Sequence, residues 1–302
     1  MARISVLGVP MDLGAGRRGV DMGPSAIRMA RIHTAFRRLD HQVMDGGNIG
    51  VPQIEEQRVV DSDARHSQEI GAVCRQVALA TAAVVKADGI PVVLGGDHSL
   101  SAGSMAGVQE GRATTGKEPM GLIWFDAHAD MNTPKTSPSG NLHGMTLAAL
   151  LGIEIPGLSE GVGLGLFSPD RVVLVGVRDV DGGEKELLTK LGVASLTMRE
   201  IDERGMASVI KEAIGIAGPE GKAFGLSLDL DAVDPKEAPG VGTPVPGGMT
   251  YREAHLAMEW IADSKALRAL DIVEVNPVLD DRNRTARLAV GLAASAMGKR
   301  IL

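Results

Sequence analysis

Short apolar runs alternate with amphipathic stretches along almost the whole chain, and this alternation restricts the fold more than any other feature. Segments 4–9, 120–125 and 224–228 have the composition of buried strands, whereas 63–87 carries apolar residues at helical spacing. Strands separated by helices imply right-handed crossovers and a parallel sheet covered on both faces. The sequence therefore predicts a three-layer αβα fold of the α/β class with a mostly parallel sheet.

The same pattern predicts the other strands and helices. The predicted strands are 4–9, 42–44, 92–94, 120–125, 172–175, 194–196, 224–228 and 269–275. The predicted helices are 24–39, 63–87, 99–108, 184–190, 201–216, 251–262 and 285–297. The Gly-rich stretch 157–165 is predicted to be a surface loop. Because 302 residues can share one hydrophobic core and no linker interrupts the chain, we expect one domain over 1–302.

Composition excludes several kinds of partner and site. The net charge of -7 argues against a nucleic-acid partner, and the scarcity of aromatic residues argues against base stacking. The single cysteine excludes intrachain disulfides and Cys-rich zinc sites. The first residues are predicted to form a strand and not a signal peptide, and no apolar stretch is long enough to span a bilayer. A cytoplasmic protein without a membrane partner is expected.

Three predicted strands each end in a cluster of side chains that bind hard metal ions. The clusters are Gly95-Gly96-Asp97-His98, Asp126-Ala127-His128-Ala129-Asp130 and Asp229-Leu230-Asp231. Because ligands of α/β sheets bind at the carboxyl ends of strands, two imidazoles and at least four carboxylates are expected at one edge. Such negative charge is costly unless cations neutralise it. The oxygen-rich, thiolate-free ligand set favours Mn, Mg or Fe(II), and four carboxylates balance two divalent ions. The pattern predicts metal-assisted hydrolysis at a two-metal site.

Each ligand type also has an ordinary structural explanation. A lone histidine after a strand is usually a hydrogen-bonded core residue, and an aspartate at a strand end usually caps a turn. The threefold occurrence of the pattern favours metal binding over both explanations. The remaining histidines, His33, His41, His66 and His255, are predicted to be surface residues, and Cys74 a buried helix residue.

Motifs over nearly the whole chain closely resemble the arginase/agmatinase ureohydrolase family. They are Gly8-Val9-Pro10, Gly19-Val20-Asp21-Met22-Gly23-Pro24, Gly95-Gly96-Asp97-His98, Trp124-Phe125-Asp126-Ala127-His128-Ala129-Asp130, Ser227-Leu228-Asp229-Leu230-Asp231, Gly242-Thr243-Pro244 and Glu274-Val275-Asn276-Pro277. The resemblance implies an αβα fold with two Mn²⁺ ions per subunit. It also implies hydrolysis of L-arginine to L-ornithine and urea by a metal-bridging hydroxide, and a homotrimer or homohexamer.

The resemblance also assigns metal ligands and catalytic residues. The implied metal ligands are His98, Asp126, His128, Asp130, Asp229 and Asp231. Asp126 and Asp229 would bridge the ions; His98 and Asp130 would complete one coordination sphere, and His128 and Asp231 the other. The implied catalytic residues are Asp130, His143 and Glu274. Asp130 would relay the proton of the hydroxide, His143 would act as an acid or proton shuttle, and Glu274 would hold the guanidinium group.

Substrate choice within this family depends on what binds the far end of the substrate. The implied substrate-binding residues are Asn132, Ser139, Asn141, Asp181, Glu184, Thr243 and Glu274. The neutral side chains of Asn132, Ser139 and Asn141 suit the α-carboxylate of arginine, and Asp181 suits its α-ammonium group. Thr146 and Gly182 stand where the family often has proline. These two differences are expected to affect the rigidity of the loops and substrate affinity more than the type of reaction.

Three other functions fit parts of the sequence. An agmatinase, or a hydrolase of another guanidino compound, would use the same metals on a substrate without the carboxylate. A dinucleotide-dependent oxidoreductase is suggested by Gly14-Ala15-Gly16-Arg17-Arg18-Gly19, although the next helix begins too late for that motif. A catalytically inactive metal-binding protein would keep the ligands without turnover.

Overall fold

The computed structural model describes residues 1–163 and 165–300, and its centre is one eight-stranded sheet. The strands are β1 (Arg3–Val9), β2 (Gln42–Asn48), β3 (Ile90–Gly95), β4 (Gly121–Phe125), β5 (Val172–Val175), β6 (Ala194–Leu196), β7 (Phe224–Asp229) and β8 (Leu267–Val273). All strand pairs are parallel, in the order β2-β1-β3-β8-β7-β4-β5-β6. The last strand in the chain therefore lies in the middle of the sheet.

Helices cover both faces of this sheet. They are α1 (Gly23–Met29), α2 (Ile32–Arg37), α3 (Ser67–Lys86), α4 (Leu100–Thr114), α5 (Thr146–Leu150), α6 (Leu158–Val162), α7 (Gly182–Leu191), α8 (Met198–Arg204), α9 (Met206–Ala217), α10 (Tyr251–Ser264) and α11 (Arg284–Ala296). The core on one face contains side chains of α1, α2 and α8 to α11, and the core on the other contains those of α3 to α7. This arrangement confirms the predicted three-layer αβα fold.

Strand β4 shows why these strands are apolar throughout. Ile123 and Phe125 pack in the core on one face, and Leu122 and Trp124 pack in the core on the other. Successive side chains of a strand point to opposite faces, so a strand with helices on both sides buries every residue. The continuous apolar runs in the sequence are a consequence of this double burial.

Two predicted helices are each divided in the structure. The predicted helix 24–39 is α1 and α2, separated at Arg31, whose φ is 70°. The predicted helix 201–216 corresponds to α8 and α9, separated at Gly205, whose φ is 77°. Each break contains one residue with positive φ, which leaves the apolar periodicity on either side unchanged. Periodicity therefore located the helical regions and missed the breaks.

The prediction of a surface loop at 157–165 is wrong for 158–162, which form α6 packed against α3. A Cβ atom on Gly71 of α3 would lie 2.0 Å from the backbone oxygen of Gly157, and a Cβ on Gly161 would lie 2.3 Å from that of Gly71. The glycines therefore allow close backbone contact between the two helices. The glycine-rich composition alone did not indicate this packing. Helix α5 was also not predicted.

Two of the predicted surface histidines are buried. His66 is 7% exposed and His255 is 5% exposed, and the Nδ1 atom of His255 lies 2.9 Å from Ser295 Oγ. The prediction for Cys74 is confirmed, since it is fully buried on α3 and burial raises the pKa of its thiol to about 12. Within 1–163 and 165–300, no helix combines the length and the hydrophobicity needed to cross a bilayer.

Candidate metal centre and active site

The six predicted metal ligands meet above the four central strands of the sheet. His98 follows β3, Asp126 follows β4, and Asp229 ends β7. In the sheet these strands and β8 are consecutive neighbours, in the order β3-β8-β7-β4. Because all of them are parallel, their carboxyl ends lie at the same edge. The order of the strands therefore brings together segments that are more than a hundred residues apart in the chain.

His98 is the centre of a first ligand group. Its Nδ1 atom lies 3.1 Å from one carboxylate oxygen each of Asp126, Asp130 and Asp229. The Nδ1 atom of His98 and Oδ2 of Asp130 are buried, and neither has a hydrogen-bond partner among the described residues. Buried polar atoms are almost always paired, so these atoms leave coordination capacity for a cation.

His128 is the centre of a second ligand group. Its Nδ1 atom lies 3.1 Å from Asp231 Oδ2 and 3.4 Å from Asp126 Oδ1. Asp126 thus contributes one oxygen to each group, as expected of a bridging carboxylate. The contacts of Asp229 join it to the first group, while its Oδ1 accepts a hydrogen bond from the backbone N–H of Asp231 at 2.8 Å.

The electrostatics of the cluster fit divalent cations. None of the four carboxylates is more than 6% exposed. Burial and the charge of Asp126 raise the pKa of Asp130 to about 6. Burial, Asp231 and Asp126 raise the pKa of Asp229 well above its ordinary value. Carboxylates crowded in this way repel one another unless positive charge lies between them, so the donor set suits hard metal ions.

Two residues of the site have strained backbone conformations. Asp130 has a φ of 52° and Glu274 a φ of 62°, which are uncommon values for residues other than glycine. The carbonyl oxygen of Asp130 accepts hydrogen bonds from the backbone N–H groups of Leu147 and Ala148 in α5, at 3.0 and 3.2 Å. Strain held by surrounding hydrogen bonds is typical of functional sites, where it aims a side chain.

Trp124 supports both ligand groups, although sequence reasoning gave it no role. Its ring stacks on His98 with the ring centroids 4.1 Å apart, and its Nε1–H donates to Asp126 Oδ2 at 3.0 Å. Trp124 lies two residues before Asp126, and this spacing places both on the same side of an extended segment. The two-residue spacing of Trp124 and Asp126 was therefore the feature of the sequence that could have indicated this contact.

A series of hydrogen-bonded, buried polar side chains connects His98 with helix α4. The Nε2 atom of His98 lies 2.7 Å from Ser227 Oγ, which lies 3.2 Å from Ser101 Oγ. The carboxyl of Asp271 lies close by, accepts a hydrogen bond from Ser104 at 2.5 Å, and has its pKa raised to about 7 by burial. A proton on Nε2 would leave Nδ1 free to bind metal, and Ser227 Oγ can accept the hydrogen bond from that proton.

Substitution of Ser227 by alanine is expected to weaken metal binding about 10- to 100-fold, because the Nε2 atom of His98 loses its hydrogen-bond partner. Titration calorimetry with Mn²⁺ measures this change. Ser295→Ala is the matched control, since Ser295 is also buried beside a histidine but lies away from the metal ligands. Equal loss of affinity in both variants would show that Ser227 has no specific role.

Glu274 and His143 form a buried pair beside the metal ligands. Glu274 Oε1 accepts hydrogen bonds from the backbone N–H of His98 at 2.9 Å and from His143 Nδ1 at 3.0 Å. Burial lowers the pKa of His143, but the hydrogen bond to Glu274 and nearby carboxylates outweigh burial and raise it to about 9. Glu274 Oε2 is buried without a partner in the described chain. The pair therefore offers a protonated imidazole and one unpaired carboxylate oxygen.

A cavity of about 170 Å³ opens beside the ligand groups. Six of the seven predicted substrate-binding residues line it, namely Asn132, Ser139, Asn141, Asp181, Glu184 and Thr243. The seventh, Glu274, lines an adjoining cavity together with His143 and Thr243. The structure thus brings together every residue that the resemblance assigned to the substrate.

Several of these residues hold one another in place. Asn132 Nδ2 donates to Asp181 Oδ2 at 2.9 Å. Both carboxylate oxygens of Glu184 accept backbone hydrogen bonds, from Met131 and from Asp181, and Thr243 Oγ1 donates to Asp231 Oδ2 at 2.9 Å. Glu184 and Thr243 therefore also have positioning contacts, and the substrate contacts assigned to them stay predictions.

The glycine-rich segment 14–19 lies at the rim of this site and does not begin a dinucleotide-binding helix. Helix α1 begins at Gly23, after a short 3₁₀ turn. The backbone N–H of Gly14 donates to Asp97 Oδ2 at 2.8 Å, and Gly16 lines the cavity next to Glu274. Asp97 thus anchors a loop at the site, and the oxidoreductase hypothesis loses the structural context it requires.

Comparison with known proteins agrees with this geometry. The Arginase family model matches residues 2–298. The chain is 46% identical to the arginase of Bacillus caldovelox and 44% identical to that of Brevibacillus brevis, with at least 99% of each chain covered. The native structure of the Bacillus caldovelox arginase at pH 5.6 superimposes with a TM-score of 0.95, covering 100% of both chains. These full-length matches support arginase function over agmatinase function. The chain is a hydrolase that belongs to the arginase family.

Proposed function

We propose that this protein hydrolyses L-arginine to L-ornithine and urea at a centre that holds two Mn²⁺ ions. The observation that carries the proposal is the pair of ligand groups sharing Asp126, next to a cavity lined by the residues expected to bind the substrate. Full-length similarity to arginases supports arginine over agmatine as the substrate.

His98, Asp130 and Asp229 would hold one ion and His128 and Asp231 the other, with Asp126 between them. A second bridging contact from Asp229 is part of the proposal. The ions supply Lewis acidity and make water a nucleophile at neutral pH. Manganese is preferred because four carboxylates and two imidazoles form a hard ligand set without thiolate.

The remaining catalytic work falls to side chains beside the metal ligands. Glu274 Oε2, buried and unpaired, would accept hydrogen bonds from the planar guanidinium group and fix its orientation. Asp130 would bind its ion through Oδ2, which faces His98. Its other carboxylate oxygen would hold the proton given up by water and pass it to the leaving amine. His143, whose pKa is about 9, would be protonated at neutral pH and would donate a proton at the same stage.

Selection of arginine depends on the loop 132–143 and the start of α7. Asn132, Ser139 and Asn141 present neutral donors suited to a carboxylate, and Asp181 presents an acid suited to an ammonium group. The hydrogen bond between Asn132 and Asp181 joins the two halves of this subsite. Agmatine lacks the carboxylate, so it would lose the contacts with the loop.

Turnover of arginine and agmatine by the manganese-loaded protein tests this function. We expect urea release from arginine to be faster, with two ions per subunit by elemental analysis and loss of turnover after chelation. Faster hydrolysis of agmatine would overturn the substrate assignment. Full activity with one ion per subunit would overturn the two-metal proposal.

Replacement of Asn141 by alanine is expected to raise KM for arginine about tenfold, because a hydrogen bond to a charged group is lost. Steady-state kinetics with both substrates measure the effect, and KM for agmatine is the internal control because agmatine has no carboxylate. An unchanged KM for arginine would contradict the proposed carboxylate contact.

The predicted homotrimer or homohexamer, the cytoplasmic location and the absence of nucleic-acid and membrane partners stay predictions. Light scattering of the purified protein tests the oligomeric state. Fractionation of cells tests the location and would also reveal association with membranes or nucleic acid.

A further inference from the structure

Arg112 is the only arginine or lysine buried among the described residues, with 8% of its surface exposed. Its Nε–H donates to the backbone oxygen of Glu118 at 2.8 Å, and the guanidinium group forms no ion pair with any carboxylate of 1–163 or 165–300. Buried cations are rare unless they are paired with an anion. Arg112 therefore has a charge that the described chain leaves unmatched.

Arg112 lines a cavity of about 700 Å³ at the edge of the sheet opposite the metal ligands. Arg3, Ile90 and Arg268, which also line it, lie at or near the beginnings of β1, β3 and β8. The cavity contains four cationic side chains, those of Arg3, Arg112, Lys117 and Arg268. We call it the basic cavity.

The positive charge of the basic cavity is only partly compensated. Asp88 is its one acidic lining residue and pairs with Lys117 at 2.9 Å, so four cations and one carboxylate leave a net charge of three. Burial lowers the pKa of Arg112, and so do the neighbouring charges of Arg268 and Arg171, whereas the Glu118 carboxylate, which pairs with Lys222 at 3.5 Å, raises it by less. This positive charge is concentrated in a protein whose net charge is -7.

Helix ends account for part of this charge and not for all of it. Helices α3 and α4 end near the cavity, and each carboxyl end carries a partial charge of about -0.5. Two such ends offset about one of the three positive charges. Arg3 and Arg268 each use one terminal nitrogen to bond backbone oxygens, at 3.1 and 2.8 Å. Each guanidinium has five N–H donors, so several remain for another acceptor.

We propose that the basic cavity binds a small metabolite whose oxyanion groups carry at least two negative charges, with Arg112 as its main anchor. Its volume lies within the range of about 300–1,000 Å³ typical of small-molecule sites. The planar fork of an arginine matches the oxygens of a phosphoryl or carboxylate group. The proposal is independent of the arginine-hydrolysing site on the opposite edge.

Inorganic phosphate is the first probe, malonate the second and acetate the monovalent comparison, each titrated into the manganese-loaded protein at constant ionic strength. Calorimetry is expected to show binding of phosphate or malonate but not of acetate, and the stronger of the two identifies the oxyanion class. Arg112→Gln is expected to weaken this binding at least about tenfold, since hydrogen bonds to charged groups are lost. Arg75→Gln is the matched control, because exposed Arg75 also bonds a backbone oxygen.

Melting temperature separates ligand binding from a purely structural role of Arg112. We expect phosphate or malonate to raise Tm of the wild type and of Arg75→Gln and not that of Arg112→Gln, while urea formation without added anion stays unchanged. Arg268→Gln, at an exposed position of the same cavity, is expected to give the same loss if Arg112→Gln does not fold. Equal affinity in wild type and both cavity variants, or binding of acetate as strong as of phosphate, would overturn the proposal.

Discussion

Replacing Asp126 with alanine is expected to release both metal ions and to lower kcat/KM for arginine by more than about 10³-fold. One oxygen of Asp126 lies in each ligand group, so its removal opens both. Loss of metal chemistry costs several kcal/mol of transition-state stabilisation, and each 1.36 kcal/mol is a factor of ten in rate. Elemental analysis and urea assays of the same preparation measure both effects.

Asp231→Ala is the informative comparison for this variant. Asp231 belongs to the second ligand group alone, so its loss should leave one ion bound by the first group. If Asp126→Ala retains two ions and normal turnover, the proposal that Asp126 is a ligand of both ions is wrong. Circular dichroism of both variants checks that the fold is kept.

Glu274→Gln is expected to lower kcat/KM for arginine by about 10²–10³-fold while both ions stay bound. The variant keeps the shape of the side chain but removes the negative charge that is proposed to face the guanidinium group. Truncating one partner of a buried charged pair costs about 2–5 kcal/mol, or about 30- to 5,000-fold, and the expected loss lies in the middle of this range. Steady-state kinetics together with metal analysis separate substrate orientation from metal loss.

His143→Gln distinguishes two explanations of the Glu274 result. If Glu274 acts only by holding His143, the two single variants and the double variant should have the same residual activity. If Glu274 also binds the guanidinium group, the double variant should be slower than either single variant. An unchanged kcat/KM in Glu274→Gln would remove Glu274 from the proposed mechanism.

The fold and the clustering of the Asp and His side chains were predictable because both depend on local patterns. Apolar runs that end in Asp and His clusters indicated strands and ligands together, and parallel strands end at one edge. Trp124 and Ser227 were not assigned a role, because an aromatic or a serine in a buried strand has many ordinary functions. Their contacts with His98 depend on which strands are neighbours, and the local pattern leaves this open.

The sequence-based predictions that were wrong have a different physical cause. The two divided helices are interrupted at Arg31 and Gly205, which have positive φ. Apolar periodicity carries no information about such single-residue conformations. His66 and His255 are buried because elements distant in the chain cover them, and composition gave no sign of this. No sequence pattern assigned a position to Arg112, and only the structure shows that it is buried.

The position of β8 has a consequence for the order of assembly. This strand is synthesised after the other seven described strands, yet it fills the gap between β3 and β7 and places Glu274 beside the predicted metal ligands. A nascent chain that lacks β8 therefore exposes two unpaired strand edges, each a template for association with other chains. Such a chain also holds its ligand-bearing strands in two separate halves. Protection of those edges until β8 has been synthesised is thus a requirement that the topology itself imposes.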